Sequence, residues 1–168
     1  MKEFIKDVSS WIHEFVSVHN KTLGHTPCPF AKQALIDDKI MWHTAQSIDD
    51  LEKLTIWLSN RDLWGNKEVL IIGMEEHTIK PKDLYREIEK INRVILMPNG
   101  LVALEDHPTS VEIVNGAKMN QGKWILVLIQ SIDKLNRASE ILKKQGYYDN
   151  WSQENLAEVV NWRTETTF

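Results

Sequence analysis

The sequence has little cysteine, no long apolar run and no excess of basic charge, and each shortage excludes a class of protein. The single cysteine among 168 residues cannot form a disulfide within the chain. The N-terminus lacks the apolar run and small-residue cleavage site of a signal peptide, so a cytoplasmic protein is expected. No stretch approaches the roughly 18 consecutive apolar residues of a membrane span, so no membrane partner is expected.

Basic residues do not outnumber acidic ones. The 20 Lys and Arg residues are interleaved with 24 Asp and Glu, which gives a formal net charge of -4. Because nucleic-acid binding needs a basic patch or stripe, no nucleic-acid partner is expected. The low counts of Gly (7) and Pro (5) exclude collagen-like and low-complexity chains, and 42% apolar residues are typical of a globular protein. At this length we expect a single domain over residues 1–168.

Both ends of the chain carry segments with a recognisable pattern. In the first segment apolar residues recur at helical spacing and charged residues fill the other face, which predicts an amphipathic helix over residues 2–19. Its apolar positions are Phe4, Ile5, Val8, Trp11, Ile12, Phe15 and Val16. Residues from about 147 to 168 are a C-terminal extension, with a short helix near 154–162 and a frayed polar end.

Between these segments, apolar runs of strand length alternate with stretches of helical periodicity. Strands and helices are predicted in the order strand 39–44, helix capped by Ser47 or Asp49, strand 68–73, helix 80–91, strand 124–130 and helix 132–144. Residues 93–97 and 101–105 flank Pro98-Asn99-Gly100 and predict a hairpin. This order predicts an α+β fold, a mixed β-sheet with packed helices, for which a ferredoxin-like arrangement is one candidate.

The only cysteine, Cys28, lies between two prolines where a short helix is predicted from Pro29 to about Ile36. The unpaired N–H groups and the dipole of a first helical turn lower the pKa of a thiol, which favours the reactive thiolate. The alternative is structural, because free cysteine is among the most often buried residues and commonly behaves as a small apolar group.

A second group of ionisable residues, Glu105-Asp106-His107, ends an apolar predicted strand. A neutral imidazole is able to ligate a metal or haem iron, and a neighbouring carboxylate orients it. The alternative is a polar loop at the end of a strand. Two further combinations stay open at this point: a nucleophile and base pair of Cys28 with His107, and a zinc site that adds His25 and Asp106.

Seven tryptophans are many for this length. Most are expected in the core, and some, including Trp42 on the first predicted strand, are candidates to line a pocket for a flat ligand.

The segment Pro27-Cys28-Pro29-Phe30-Ala31, followed by Gln33-Ala34-Leu35 and a strand, resembles the opening motif of the haem-dependent N-hydroxylase family typified by pre-guanitoxin N-hydroxylase. His107-Pro108-Thr109-Ser110 resembles the His-Pro-x-Ser element of that family. The resemblance spans roughly residues 26 to 110. The chain is about equally similar to an uncharacterised bacterial family with a C-P-F-A helix start and a later His-Pro.

The resemblance implies oxygen-dependent hydroxylation of an amine or guanidine nitrogen in a small-molecule substrate, with haem as cofactor and a separate electron donor. It implies His107 as the metal ligand and catalytic residue, with Cys28 as the other candidate in both roles. Phe30 and Trp42 would complete the haem-binding set, and Glu105 or Asp106 would hold a cationic substrate.

Three further expectations accompany this function. A homodimer that shares pocket walls is one way for a chain of this length to enclose haem. The first alternative function is a non-catalytic module that binds haem or another small molecule. The second is a cofactor-free thiol enzyme that uses Cys28.

Overall fold

The computed structural model describes residues 1–163, and its α+β architecture confirms the predicted fold class. The helices of this part of the chain are α1 Lys2–Trp11, α2 Ala31–Ile36, α3 Ile48–Leu58, α4 Pro81–Ile91, α5 Ile132–Lys144 and α6 Gln153–Val159. The strands are β1 Ile40–Thr44, β2 Val69–Glu75, β3 Leu101–Asp106, β4 Ile113–Val114, β5 Ala117–Lys118 and β6 Trp124–Ser131.

Four of the strands form one mixed sheet in the order β1-β2-β6-β3, and β4 pairs with β5 in a small separate hairpin. β1 and β2 are parallel neighbours, whereas β6 runs antiparallel to both β2 and β3. The mixed sheet is therefore confirmed, but the ferredoxin-like candidate is wrong. That arrangement separates the two parallel strands of a βαβ unit with another strand, whereas β1 and β2 are hydrogen-bonded to each other.

The sheet is covered on both faces, as the apolar run of β2 predicts. Leu70, Ile72 and Met74 face a core cluster formed with α3 and α4. On the opposite face Ile71 packs with the buried residues of α1. Gly73 allows this close approach, because a Cβ atom on it would lie 2.3 Å from Cε2 of the Phe4 ring.

The predicted N-terminal helix is present but ends three residues early: it is α-helical to Trp11 and π-helical over Ile12–Val16, after which the hydroxyl of Ser17 donates to the carbonyl of Ile12. Lys123, at the start of β6, fixes its outer face, since Nζ lies 2.8 Å from Glu3 Oε1 and 2.7 Å from Asp7 Oδ2. The indole N–H of Trp124 also donates to Asp7, at 2.9 Å. This polar face binds the domain itself, which agrees with the expectation that the helix packs onto the fold.

The predicted hairpin over residues 93–105 is wrong. The chain continues from α4 through a π-helical turn, Asn92–Leu96, and a 3-10 turn, Met97–Asn99, and β3 pairs with β6 instead. The physical reason is the buried side chain of Asn92. Its Nδ2 donates to the carbonyl of Ala103 at 2.9 Å, and the N–H of Ala103 donates to its Oδ1 at 2.7 Å. This side chain occupies the outer edge of β3, where the predicted strand would have paired.

The remaining predicted elements are confirmed with small shifts at their ends. α2 begins at Ala31, two residues after the predicted start, and Ser47 caps α3 by accepting the N–H of Asp50 at 3.1 Å. α6 and a 3-10 turn over Asn161–Arg163 lie where the short C-terminal helix is predicted. The last residues of the predicted frayed end, 164–168, lie outside the described residues. None of the described helices is both long and apolar enough to span a bilayer.

Candidate functional site

Cys28 lies at the entrance to α2, as the sequence predicts, but in a different electrostatic setting. Its backbone N–H donates to the carbonyl of Val16 at 2.8 Å, which ties this loop to the N-terminal helical segment. The backbone N–H groups of Phe30 and Ala31 face the sulfur, but packing around the thiol is the larger effect and raises the pKa of Cys28. The expectation of a lowered thiol pKa is therefore reversed, because desolvation outweighs the helix terminus.

An aromatic cluster of His25, Tyr147, Tyr148 and Trp151 encloses the loop that carries Cys28. The hydroxyl of Tyr147 donates to the backbone carbonyl of Pro27, and its ring centroid lies 3.9 Å from that of His25. The indole N–H of Trp151 donates to Nε2 of His25 at 3.3 Å. Burial, with a smaller contribution from Cys28, raises the pKa of Tyr147, so its hydroxyl remains protonated. These contacts hold the loop against the C-terminal extension.

A pocket of about 330 Å³ opens between this loop and the end of α5. Its walls are Leu23, Gly24, His25, Thr26, Pro29, Leu142, Gln145, Gly146, Tyr147 and Asn150. No Asp, Glu, Lys or Arg is among these residues, and the wall includes Thr26 and Pro29, which lie on either side of Pro27-Cys28, but not Cys28 itself. We call this cavity the His25 pocket.

His107 is buried, with 4% of its surface exposed, and both of its ring nitrogens have partners. Nε2 lies 2.9 Å from the carbonyl oxygen of Ile79, and because a carbonyl only accepts, Nε2 carries the proton. Nδ1 accepts from the N–H of Thr109 at 3.2 Å and lies 3.0 Å from its hydroxyl. The imidazole therefore joins the end of β3 to the segment before α4.

A second pocket, of about 320 Å³, adjoins His107 at the carboxyl ends of β2 and β3. Its walls are Glu76, His77, Ile79, Lys80, Pro81, His107 and Thr109. It shares no lining residue with the His25 pocket. His107 thus lines a pocket that does not include Cys28.

The two predicted substrate carboxylates lie on opposite faces of β3. Asp106 accepts from Nδ2 of Asn120 at 2.7 Å and from the N–H of Gln121 at 2.8 Å. Burial raises its pKa, and these hydrogen bonds partly oppose the shift. Burial likewise raises the pKa of Glu105, whose carboxylate accepts its own backbone N–H. Asp106 anchors the loop that leads from β3 to β6, so its oxygens are occupied by protein donors.

The two predicted aromatic contacts to a cofactor are also separated. The ring of Trp42 packs edge-on against Phe4, with 5.8 Å between centroids, in the core under α1. Phe30 is 45% exposed at the start of α2. Trp42 is therefore partly buried against this core. Among the tryptophans Trp64 is fully buried, whereas Trp57 is 56% exposed.

The predicted haem residues do not fit an axial ligand site in this arrangement. Iron binding through His107 would replace a hydrogen bond at either ring nitrogen, and the raised pKa of Cys28 disfavours the thiolate that ligation needs. Within residues 1–163 no three His, Cys, Asp or Glu side chains are grouped as a metal site. The haem-dependent function therefore stays a prediction that rests on the two sequence motifs.

The residues that sequence reasoning missed are Tyr147 and Trp151, which were assigned to a C-terminal extension. The available signal was the aromatic run Tyr147-Tyr148-x-x-Trp151 directly after the helix-stopping Gly146. Gly146 has φ +76°, a conformation that turns the chain back towards the domain at the end of a helix.

Comparison with known proteins adds no relationship from which a function follows. No protein-family model matches the chain, and neither a curated protein nor a solved structure matches it.

Proposed function

We propose that this protein is a binding module for an uncharged polar small molecule, which it takes up in the His25 pocket. The observation that carries the proposal is the lining of that pocket. Hydroxyl and amide side chains of Thr26, Gln145 and Asn150 stand beside apolar Leu23 and Leu142 without a formal charge from Asp, Glu, Lys or Arg. Pockets that hold small ligands combine apolar walls with a few polar groups that fix orientation.

The walls of the pocket are held in place before any ligand arrives. The Tyr147 hydroxyl bonds to Pro27, and Trp151 bonds to His25, so both sides of the cavity are fixed by contacts between distant parts of the chain. A pocket that is already formed loses little conformational entropy on binding. The same hydrogen bonds engage the polar ends of Tyr147 and His25, and the two rings pack against each other, which fixes this side of the wall.

Binding without turnover is favoured over thiol catalysis by the state of Cys28. Its raised pKa keeps the sulfur protonated near neutral pH, and the thiolate is the nucleophilic form. Cys28 is also not among the residues that line the pocket.

The proposal is tested by following the backbone amide signals of Gly24 and Gly146 by NMR during titration with glucose, uridine and nicotinamide. At least one of these uncharged probes is expected to shift both signals with a dissociation constant of about 1 mM or lower. Asn150→Trp, at an exposed position in the pocket wall, should abolish the shift by filling the cavity. Gln153→Trp, equally exposed but outside the wall, should leave it unchanged.

Two results would contradict the proposal. One is the absence of any shift with all three probes, and the other is a shift that persists in Asn150→Trp. The motif-based alternative, a haem-dependent N-hydroxylase, is tested in the same samples by adding haemin and recording the visible spectrum. A Soret band at one haem per chain that is lost in His107→Ala would support that alternative instead.

A further inference from the structure

The two edges of the main sheet differ in how their free backbone groups are treated. At the β3 edge, the side chain of Asn92 bonds to both backbone groups of Ala103, and the carboxylate of Glu105 accepts its own N–H. Side chains therefore occupy the backbone groups at the middle of this edge. An open edge of a sheet is a template for pairing with another strand, and natural proteins usually block it with charges, proline or a bulge.

The β1 edge carries none of these blocks. Ala45 N–H donates to Gly73 at 3.0 Å, and the carbonyl of Lys39 accepts from Val69 at 3.2 Å. Alternate residues of a parallel strand face the same neighbour, so the backbone groups of Ile40, Trp42 and Thr44 point away from β2. In the part of the chain that the structure describes, no segment pairs with this side of β1.

β1 is also uncharged at neutral pH. Its sequence is Ile-Met-Trp-His-Thr, and burial lowers the pKa of His43, which keeps the imidazole neutral. The strand itself therefore contributes no charge that would repel a second copy of the same strand.

Exposed apolar side chains flank this strand. On one face, Trp57 of α3 is 56% exposed and packs edge-on against His43, with 6.2 Å between ring centroids. Ile56 beside it is 55% exposed. On the other side, α2 leads directly into β1 and ends in Ile36, which is 66% exposed.

We propose that β1 is a dimerisation edge, at which a second copy of this chain adds its own β1 antiparallel to the first. A two-fold axis through Trp42 would place Ile40 of one copy opposite Thr44 of the other. The outward N–H and C=O groups of Ile40, Trp42 and Thr44 in one copy then face the outward groups of the same three residues in the other, as an antiparallel ladder requires. The same register sets Lys39 opposite Ala45 rather than opposite another lysine, so the strand is complementary to itself. The two α3 helices lie side by side in this arrangement, and their Trp57 side chains become buried.

The proposal is tested by measuring mass with light scattering between about 1 μM and 1 mM protein, a range that brackets the expected dissociation constant. The expected species at high concentration has twice the 19.6 kDa mass of the chain. Trp57→Lys should weaken the dimer at least roughly tenfold, because it places a charge in the buried contact. Tyr85→Lys is the matched control, since Tyr85 is 59% exposed on α4 and away from β1, and it should not change the mass.

Hydrogen exchange supplies a second readout that does not depend on a variant. The amide protons of Trp42 and Thr44 should exchange several-fold more slowly at high protein concentration than at low concentration. A monomer over the whole range, or a dimer in which these two amides exchange at a constant rate and Trp57→Lys has no effect, overturns the proposal. Asn150→Trp should dimerise normally, so failure of the binding function and failure of the dimer are distinguishable.

Discussion

At the scale of single residues, several polar side chains that the sequence marks as candidates for catalysis or binding instead form hydrogen bonds within the protein. His107, Asp106 and Asn92 all have backbone partners that lie far away in the chain. A buried polar group that lacks a partner costs about 1–3 kcal/mol, so such side chains are retained for the backbone groups they satisfy. The local sequence does not reveal the long-range partner of His107, because the carbonyl of Ile79 reaches it only in the folded chain.

His107→Ala is predicted to lower the free energy of unfolding by about 2 kcal/mol, because it leaves the buried carbonyl of Ile79 without a donor. The measurement is urea unfolding followed by tryptophan fluorescence. His77→Ala, whose side chain is 83% exposed, is the control and should change the value by less than about 0.5 kcal/mol. Equal stability of the two variants would contradict the structural role of His107.

The thiol of Cys28 is predicted to react with iodoacetamide more slowly than a free thiol at pH 7.5, because burial raises its pKa and limits access. The rate should continue to rise with pH above about 8.5, where an ordinary thiol begins to level off. N-acetylcysteine and the protein unfolded in guanidinium serve as references. A faster reaction in the folded protein than in the unfolded one would restore the thiol-enzyme alternative.

At the scale of elements, the sequence predicts helices and strands well where the apolar period is clear. β2, α4, β6 and α5 lie within a few residues of their predictions. The prediction fails at residues 93–97, where Val94, Ile95 and Leu96 have strand propensity but continue a helical turn. The local pattern is compatible with a strand and with a helical turn. The contact of Asn92 with Ala103 favours the helical turn, and apolar periodicity cannot predict this contact because it spans a turn.

Asn92→Ala is predicted to lower the free energy of unfolding by about 2–4 kcal/mol, because it removes two buried hydrogen bonds and leaves both backbone groups of Ala103 unpaired. Asn99→Ala is the matched control. Its amide donates to Ile95 at an exposed position, so its loss should cost less than about 1 kcal/mol. Chemical denaturation measures both variants, and a cost for Asn92→Ala no larger than for Asn99→Ala would refute the capping role.

At the scale of the whole molecule, the class of fold follows from the sequence but the strand order does not. Alternating elements predict a mixed sheet, whereas the insertion of β6 between β2 and β3 depends on pairing between segments distant in the chain. For the candidate site, too, the sequence predicts one part and not the other. The local sequence predicts a lowered thiol pKa for Cys28, whereas burial in the folded chain raises it, and Tyr147 from the other end of the chain lies within electrostatic range of the thiol.

The free energy of unfolding is predicted to fall as the pH rises above about 8.5. The pKa values of Cys28 and Tyr147 are both raised in the folded state, so the unfolded chain releases these protons first. The stability that they contribute is complete below the unfolded pKa values and declines above them. Measured between pH 7 and 10.5, this decline should be smaller in Tyr147→Phe and Cys28→Ser, and an identical slope in all three proteins would contradict it.

The side chain of Asn92 also affects how many edges of the main sheet are open to pairing with another strand. In the language of polymer chemistry, a sheet with two open edges is a bifunctional monomer, which grows into chains, whereas a sheet with one is monofunctional. By bonding to both backbone groups of Ala103, Asn92 obstructs pairing at the β3 edge, and β1 is the other edge of the four-stranded sheet. If two molecules join through β1 as proposed, each is left with the obstructed β3 edge, which favours a finite pair over further growth.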